Sequence, residues 1–347
     1  MRAAAITESA PDPAALVAAD ESRASVAPLV ELTRADMARV NDLILSHAGS
    51  DVKLIPEIAR HLVDSGGKRL RPMLTCAAAT AFGFEGDEHI RLACAVEFMH
   101  TATLLHDDVV DESDLRRTRP TARTIWGNQA SVLVGDFLLG QAFRMMVDVG
   151  SMEALRVLSA ASAVIAEGEV HQLSVAKRMR TGEKDYLEVI RSKTAALFAA
   201  ACETGPILAN AGTGARHALR TYGDALGIAF QLIDDALDYG GSSSSLGKNT
   251  GDDFREGKIT LPVILAHQAG DASERAFWVD AMENGRNDDA ALAHARELMA
   301  RHGTIEETIA RARAYGEVAR DALSAVPHRP HREALDEVIG YCVTRAS

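Results

Sequence analysis

Cysteine is sparse: Cys76, Cys94, Cys202 and Cys342 are four residues in a chain of 347. All sit in Ala-rich, apolar surroundings and none forms a C-x-x-C pair. That excludes a disulfide framework and a cysteine-built zinc ribbon, and it reads as four small buried hydrophobes in a reducing compartment. Basic charge is in deficit, with 37 Lys and Arg against 49 Asp and Glu and a net charge of -12. This is the wrong sign for a nucleic-acid binder, whose partner needs a basic face. Small anionic ligands stay open, because they need only a local cationic pocket. Aromatics are few, at 5%, and continuous β-branched runs bounded by turns are scarce. No run of about 18 consecutive apolar residues exists, so no membrane span is expected. The N-terminal "MRAAAITESAPDPAALVAADESRAS" carries acids and lacks an apolar core segment. It therefore reads as neither a secretory signal nor a transit peptide. Its Ala, Pro, Asp and Ser content predicts a disordered extension over residues 1–28, and the expected location is the cytoplasm.

What the chain does have is apolar residues at 47%, spaced for helices. The spacing predicts an all-α domain over residues 29–347. Helices are expected at about 29–48, 73–82, 88–111, 128–148, 151–170, 183–210, 215–239 and 260–269, with more toward the C-terminus. "SGGKRLRP" at 65–72 interrupts the pattern, and residues 114–123 read as a polar loop. "GGSSSSLGKNTGDDFREGK" at 240–258 is Gly/Ser-rich, charged and flanked by helices, which suggests a surface lid.

Five carboxylates crowd the eight residues from Asp107 to Asp114, directly after the apolar "TATLL". Asp107, Asp108 and Asp111 spell D-D-x-x-D, and so do Asp234, Asp235 and Asp238 after "GIAFQLI". On a helix, positions i and i+4 share a face one turn apart, so each triplet projects together. A single such cluster could be a solvated helix end. Two, each following an apolar run, point to a cavity or a metal. Clustered carboxylates resist ionising together unless cations compensate. An all-oxygen set suits Mg²⁺, which bridges carboxylates to phosphates. Candidate phosphate-binding cations stand nearby in sequence: Lys68, Arg69 and Arg71 beside a glycine pair, Arg116 and Arg117 after the first motif, Lys193 with Thr194 in "SKTAALF", and Lys248 and Lys258 in the predicted lid. His100 lies two turns before Asp107 on the same face.

In this order, "GGKRLRP", "EFMHTATLLHDDVVDESDLRR", "GEVHQL", "SKTAALF", "FQLIDDALDY" and "LGKNTGDDFREGKITLPVI" resemble the trans-type polyprenyl diphosphate synthases, members of the isoprenyl diphosphate synthase family. The likeness covers nearly the whole chain from about residue 29. It implies the isoprenoid synthase fold, a single helical bundle around a central cavity. It also implies head-to-tail condensation of isopentenyl diphosphate onto an allylic diphosphate. Carried onto this chain, Asp107, Asp111 and Asp234 match the family's metal ligands, with Asp108, Asp235 and Asp238 in support and about two to three Mg²⁺ ions per site. Lys68, Arg71, His100 and Arg117 match the isopentenyl diphosphate site. Arg116, Lys193, Thr194 and Gln231 match the allylic site, with Lys248 and Lys258 closing over it. Thr118 departs from the glycine usual after the paired arginines. The resemblance further implies a homodimer. A terpene cyclase would not need "GGKRLRP", a di-iron bundle would need a second Glu-x-x-His beside Glu97 and His100, and non-catalytic partner subunits commonly lose the acidic motifs.

Product length is read from the turn below Asp107. Ala102 and Thr103 are small, so a tunnel should continue past Met99 and Val96, where a large aromatic would form a floor. One helical turn, about 5.4 Å, is comparable to one isoprene unit. The expectation is an octaprenyl to decaprenyl product of the kind used for quinone side chains.

Overall fold

Proline marks three helix starts. Pro28, Pro262 and Pro330 each occupy the first turn of a helix, where the missing N–H has no partner to lose and the fixed φ is already helical. The computed structural model describes residues 24–64, 66–116, 119–175, 178–240 and 250–345. The helices in chain order are α1 (Ala27–His47), α2 (Leu54–Asp64), α3 (Leu70–Thr80), α4 (Glu88–Val110), α5 (Ala122–Trp126), α6 (Asn128–Val149), α7 (Met152–Val175) and α8 (Glu183–Ile190). There follow α9 (Ala196–Leu208), α10 (Thr213–Gly240), α11 (Asp252–Arg255), α12 (Leu261–Ala269), α13 (Ala272–Met282), α14 (Asp289–His302), α15 (Thr304–Ala322) and α16 (Arg329–Thr344).

The predicted all-α class holds, and four local details differ from the sequence reading. Residues 54–64 form a helix that was not expected. The predicted polar loop contains a short antiparallel ribbon, Leu115–Arg116 (β1) against Arg119–Pro120 (β2). The single helix expected over 183–210 is interrupted by a π turn, Arg191–Ala195. Part of the predicted lid is the helical turn α11. Within the predicted extension, Ser25 donates its N–H to Glu337 on α16 (3.2 Å). Most of the predicted extension, residues 1–23, lies outside the described residues.

The central helices are α4 and α10. α4 is buried on nearly every side, with Leu92, Ala93, Cys94, Ala95 and Val96 all inaccessible, as befits a helix enclosed by others. It packs most extensively on α6, while α10 packs on α9 and α15. The close approach of α9 and α10 requires glycine. A Cβ at Gly223 would stand 2.4 Å from the Phe198 carbonyl oxygen, and one at Gly227 would stand 2.6 Å from Ala195 Cα. Any side chain there would push the helices apart and lose close-packed contact along both. By length and composition alone α6 could cross a membrane. Its inner face of Val134, Leu138, Ala142, Met145 and Met146 packs into the core.

Candidate active site

α4 and α10 bring their C-terminal ends to one cavity of about 1520 Å³, lined by Asp111 of the first motif and all three aspartates of the second, but not by Asp107 or Asp108. Asp111, Asp234, Asp235 and Asp238 line it, together with Lys68, Arg71, His100, Arg116, Gln231 and Lys258. Part of its wall is apolar, with Ile44, Ala59, Leu62, Phe98, Leu104 and Leu138. The cavity therefore joins charged and apolar walls.

In the first motif each aspartate faces a cation. Lys193 Nζ lies 3.6 Å from Asp107 Oδ2, Arg116 Nη2 lies 2.8 Å from Asp108 Oδ1, and Lys258 Nζ lies 3.4 Å from Asp111 Oδ2. Burial raises the pKa of Asp107 even though Lys193 opposes it. Lys193 also donates to Glu169 (2.9 Å) and Gln172 (3.2 Å) on α7. The π turn holds Lys193 and Thr194, and such single-turn insertions recur at functional sites because they re-aim side chains.

The second motif is held differently. Asp235 is buried and accepts hydrogen bonds from Tyr186 (2.5 Å) and Gln231 (2.8 Å). Burial still lifts its pKa to about 7. Asp238 accepts the backbone N–H groups of Asp252 (3.3 Å) and Asp253 (3.1 Å) at the start of α11, and burial raises its pKa as well. Asp234 lies 3.1 Å from Arg345. Thr194 donates to Gln231 (2.9 Å), so the π turn and the second motif form one network.

The basic group beside the glycine pair forms another part of the wall. Gly66 takes φ +76°, and Arg69 is held in the left-handed region at φ 48°, a conformation that costs a non-glycine residue about 1 kcal/mol or more. Arg71 stacks 4.2 Å over Phe198 and approaches His100 Nε2 to 3.3 Å. Burial lowers its pKa to about 10, which leaves it cationic at neutral pH. Lys68 sits 4.2 Å over the Tyr341 ring.

Ala102 is buried, and the Thr103 hydroxyl donates back to the His100 carbonyl (2.7 Å). The α4 residues that line the cavity are Glu97, Phe98, His100, Thr101 and Leu104. Ala102 and Thr103 are thus one position away from the lining face. Arg117, Thr118 and Lys248 lie outside the described residues. Several site residues carried no role in the sequence reading: Tyr186, Glu169, Gln172, Arg345, Tyr341 and Asp253. Glu169 and Gln172 were legible in principle, since they stand at i and i+3 within "GEVHQL". Arg345 had no signal, being one arginine at the end of a distant helix.

The residues fit a hard divalent cation. Asp108 Oδ2 is buried without a hydrogen-bond partner. The donors are all oxygen, and burial pushes several of the carboxylates up in pKa. Fold and site together define a class: a helical enzyme whose cavity can grip an anionic head and house an apolar tail.

Comparison with known proteins gives the family. The polyprenyl synthetase family model matches residues 52–299, and the chain belongs to that family of prenyltransferases, with the isoprenoid synthase fold. It is 48% identical over 305 residues to octaprenyl diphosphate synthase of Escherichia coli, covering 88% of this chain and 94% of the relative. A crystal structure of a decaprenyl diphosphate synthase from Rhodobacter capsulatus superposes with a TM-score of 0.89 at 52% identity, covering 93% of this chain and 100% of that one. A polyprenyl synthase from Caulobacter crescentus, complexed with calcium and isoprenyl diphosphate, superposes at 0.90 with 50% identity, covering 93% and 99%.

Proposed function

We propose that this protein is a long-chain trans-polyprenyl diphosphate synthase. It adds isopentenyl diphosphate head-to-tail to an allylic starter of the farnesyl or geranylgeranyl type, giving a product of octaprenyl to decaprenyl length suited to quinone side chains. The observation that carries this reading is the convergence of Asp111, the second aspartate triplet and two cationic groups on one cavity that also has apolar walls. The octaprenyl and decaprenyl synthases among its relatives support the length.

Asp107, Asp111 and Asp234 would hold Mg²⁺, with Asp108, Asp235 and Asp238 in support. When bound, Mg²⁺ neutralises charge on the allylic diphosphate as a Lewis acid and orients it. Lys193, Lys258 and Arg116, which face the aspartates of the first motif, would bind the departing diphosphate oxygens, and Thr194 and Gln231 would orient the same group. The apolar walls exclude water from the allylic carbocation left when the C–O bond breaks. Lys68, Arg71 and His100 hold isopentenyl diphosphate so that its double bond can attack. The proton then lost goes to an oxygen of the released diphosphate, for no cavity side chain is placed as an evident base.

The working unit in this reading is a homodimer. Leu133 and Val147 on α6 and Met152, Val170 and Leu173 on α7 are all more than half exposed, an outward apolar stripe of the kind that protein interfaces cover.

The defining experiment supplies farnesyl diphosphate, labelled isopentenyl diphosphate and Mg²⁺ to the purified chain. Mass analysis should show a ladder ending at a chain of eight to about ten isoprene units. Products that stop at geranylgeranyl length, or a cyclised hydrocarbon, would overturn the reading.

A further inference from the structure

One cluster of metal-binding side chains lies far from the aspartate motifs. Asp36 on α1, Cys76 on α3 and His89 in the first turn of α4 bring one carboxylate oxygen, one thiol sulfur and one imidazole nitrogen within 4.8 Å of one another. His89 and Asp107 are at opposite ends of α4, 18 residues apart, which is about 27 Å along the axis. The cluster is therefore no part of the diphosphate site.

We propose that Asp36, Cys76 and His89 form a binding site for a thiophilic divalent cation of the Zn²⁺ class, which ties α1, α3 and α4 together. Two independent observations support it. First, the side chain of His89 is only 5% exposed, yet neither of its ring nitrogens has a hydrogen-bond partner. Nε2 lies 3.3 Å from Asp36 Oδ2 without the alignment of a hydrogen bond. An unsatisfied buried imidazole is destabilising, and a cation between the two groups would satisfy both. Second, the donor chemistry is selective. Tetrahedral Zn²⁺ bonds sulfur at about 2.3 Å and nitrogen or oxygen at about 2.0–2.2 Å, so its ligand atoms stand roughly 3.3–3.7 Å apart. The Asp36–His89 separation already lies there, and the Cys76 sulfur lies within 4.8 Å of both.

The charge balance also favours the ion. Thiolate plus carboxylate carry two negative charges, so Zn²⁺ makes the buried unit neutral. Arg39, the cation beside this group, is already paired with Asp87 at 2.8 Å. Without metal, burial holds the Cys76 thiol protonated; binding would release that proton to solvent. Entry is through Asp36, whose side chain is 22% exposed. A solvent molecule completes the fourth position on that side.

Co²⁺ titrated into the intact, metal-free protein tests this, because it reports thiolate ligation by a sulfur-to-metal charge-transfer absorption. Carboxylates of the aspartate motifs also bind Co²⁺ but cannot give that band. The expected result is a band that saturates at one Co²⁺ per chain, is displaced by Zn²⁺, disappears in Cys76→Ser and weakens at least tenfold in apparent affinity in His89→Gln. Cys94→Ser should keep it. X-ray absorption of the zinc-loaded wild-type protein keeps the test independent of variant folding and should show one sulfur among nitrogen and oxygen neighbours. No charge-transfer band in the wild type, a band that survives in Cys76→Ser, or a zinc shell without sulfur overturns the proposal.

Discussion

The two acidic motifs carry the same three aspartates at the same spacing, yet they are held by different chemistry. Asp107, Asp108 and Asp111 face Lys193, Arg116 and Lys258. These are long side chains whose charge can be handed to an arriving anion. Asp235 and Asp238 are instead fixed by neutral donors: a tyrosine hydroxyl, a glutamine amide and two backbone N–H groups. Neutral donors orient a carboxylate without cancelling its charge. The first motif is thus held wholly by ion pairs, whereas in the second only Asp234 is ion-paired, to Arg345, and its other two aspartates form a preset frame. A site that must take up, hold and release a polyanion has use for one half that rearranges and one half that does not.

The sharpest way to break the comparison is to remove a carboxylate from each half. Asp107→Ala and Asp234→Ala should each lower kcat/KM on the order of 10³-fold, since each deletes a proposed metal ligand worth several kcal/mol of charge stabilisation. Near wild-type turnover in either variant would refute the metal assignment. The next effect is on product rather than rate. Ala102→Tyr should shorten the longest product by two or more isoprene units on thin-layer chromatography, by forcing an aromatic ring toward the lining face at Thr101 and Phe98. An unchanged product length would refute the floor argument. Smaller still is Tyr186→Phe, which removes one hydrogen bond to a buried carboxylate. A loss of about 1.5–3 kcal/mol corresponds to a roughly 10- to 100-fold fall in kcat, with a raised Mg²⁺ requirement in steady-state kinetics. A preset frame predicts that loss, whereas an unchanged Mg²⁺ dependence would make the second motif as adaptable as the first. The smallest catalytic effect belongs to the outer stripe. If the proposed homodimer uses this face, Leu133→Glu with Val147→Glu should shift the mass measured by light scattering from dimer to monomer; a wild-type monomer would refute the dimer, and an unaltered dimer would refute this interface.

The aspartate triplets could be read from residue order because helical periodicity alone puts i and i+4 on one face. The helix boundaries near 88, 128, 152 and 213 followed from the same periodicity. The π turn at Arg191–Ala195 did not, since one extra residue in a turn changes no composition and leaves the apolar pattern almost intact. Ala102 and Thr103 illustrate a related difficulty. Sequence places them one turn below Asp107, but which strip of α4 faces the cavity depends on how the helix is rotated against α6. In this chain that rotation turns Phe98, Thr101 and Leu104 inward.

Local spacing and residue chemistry by themselves determined the helical class, the paired carboxylates and the cationic segments that accompany them, because each of those is decided within a few turns of chain. Only the tertiary structure decided that Lys258 reaches Asp111, that Arg345 reaches Asp234, and that Asp36, Cys76 and His89 meet. Those contacts join residues from separate helices, and a contact of that kind exists only after packing has fixed where each helix lies and how it is turned.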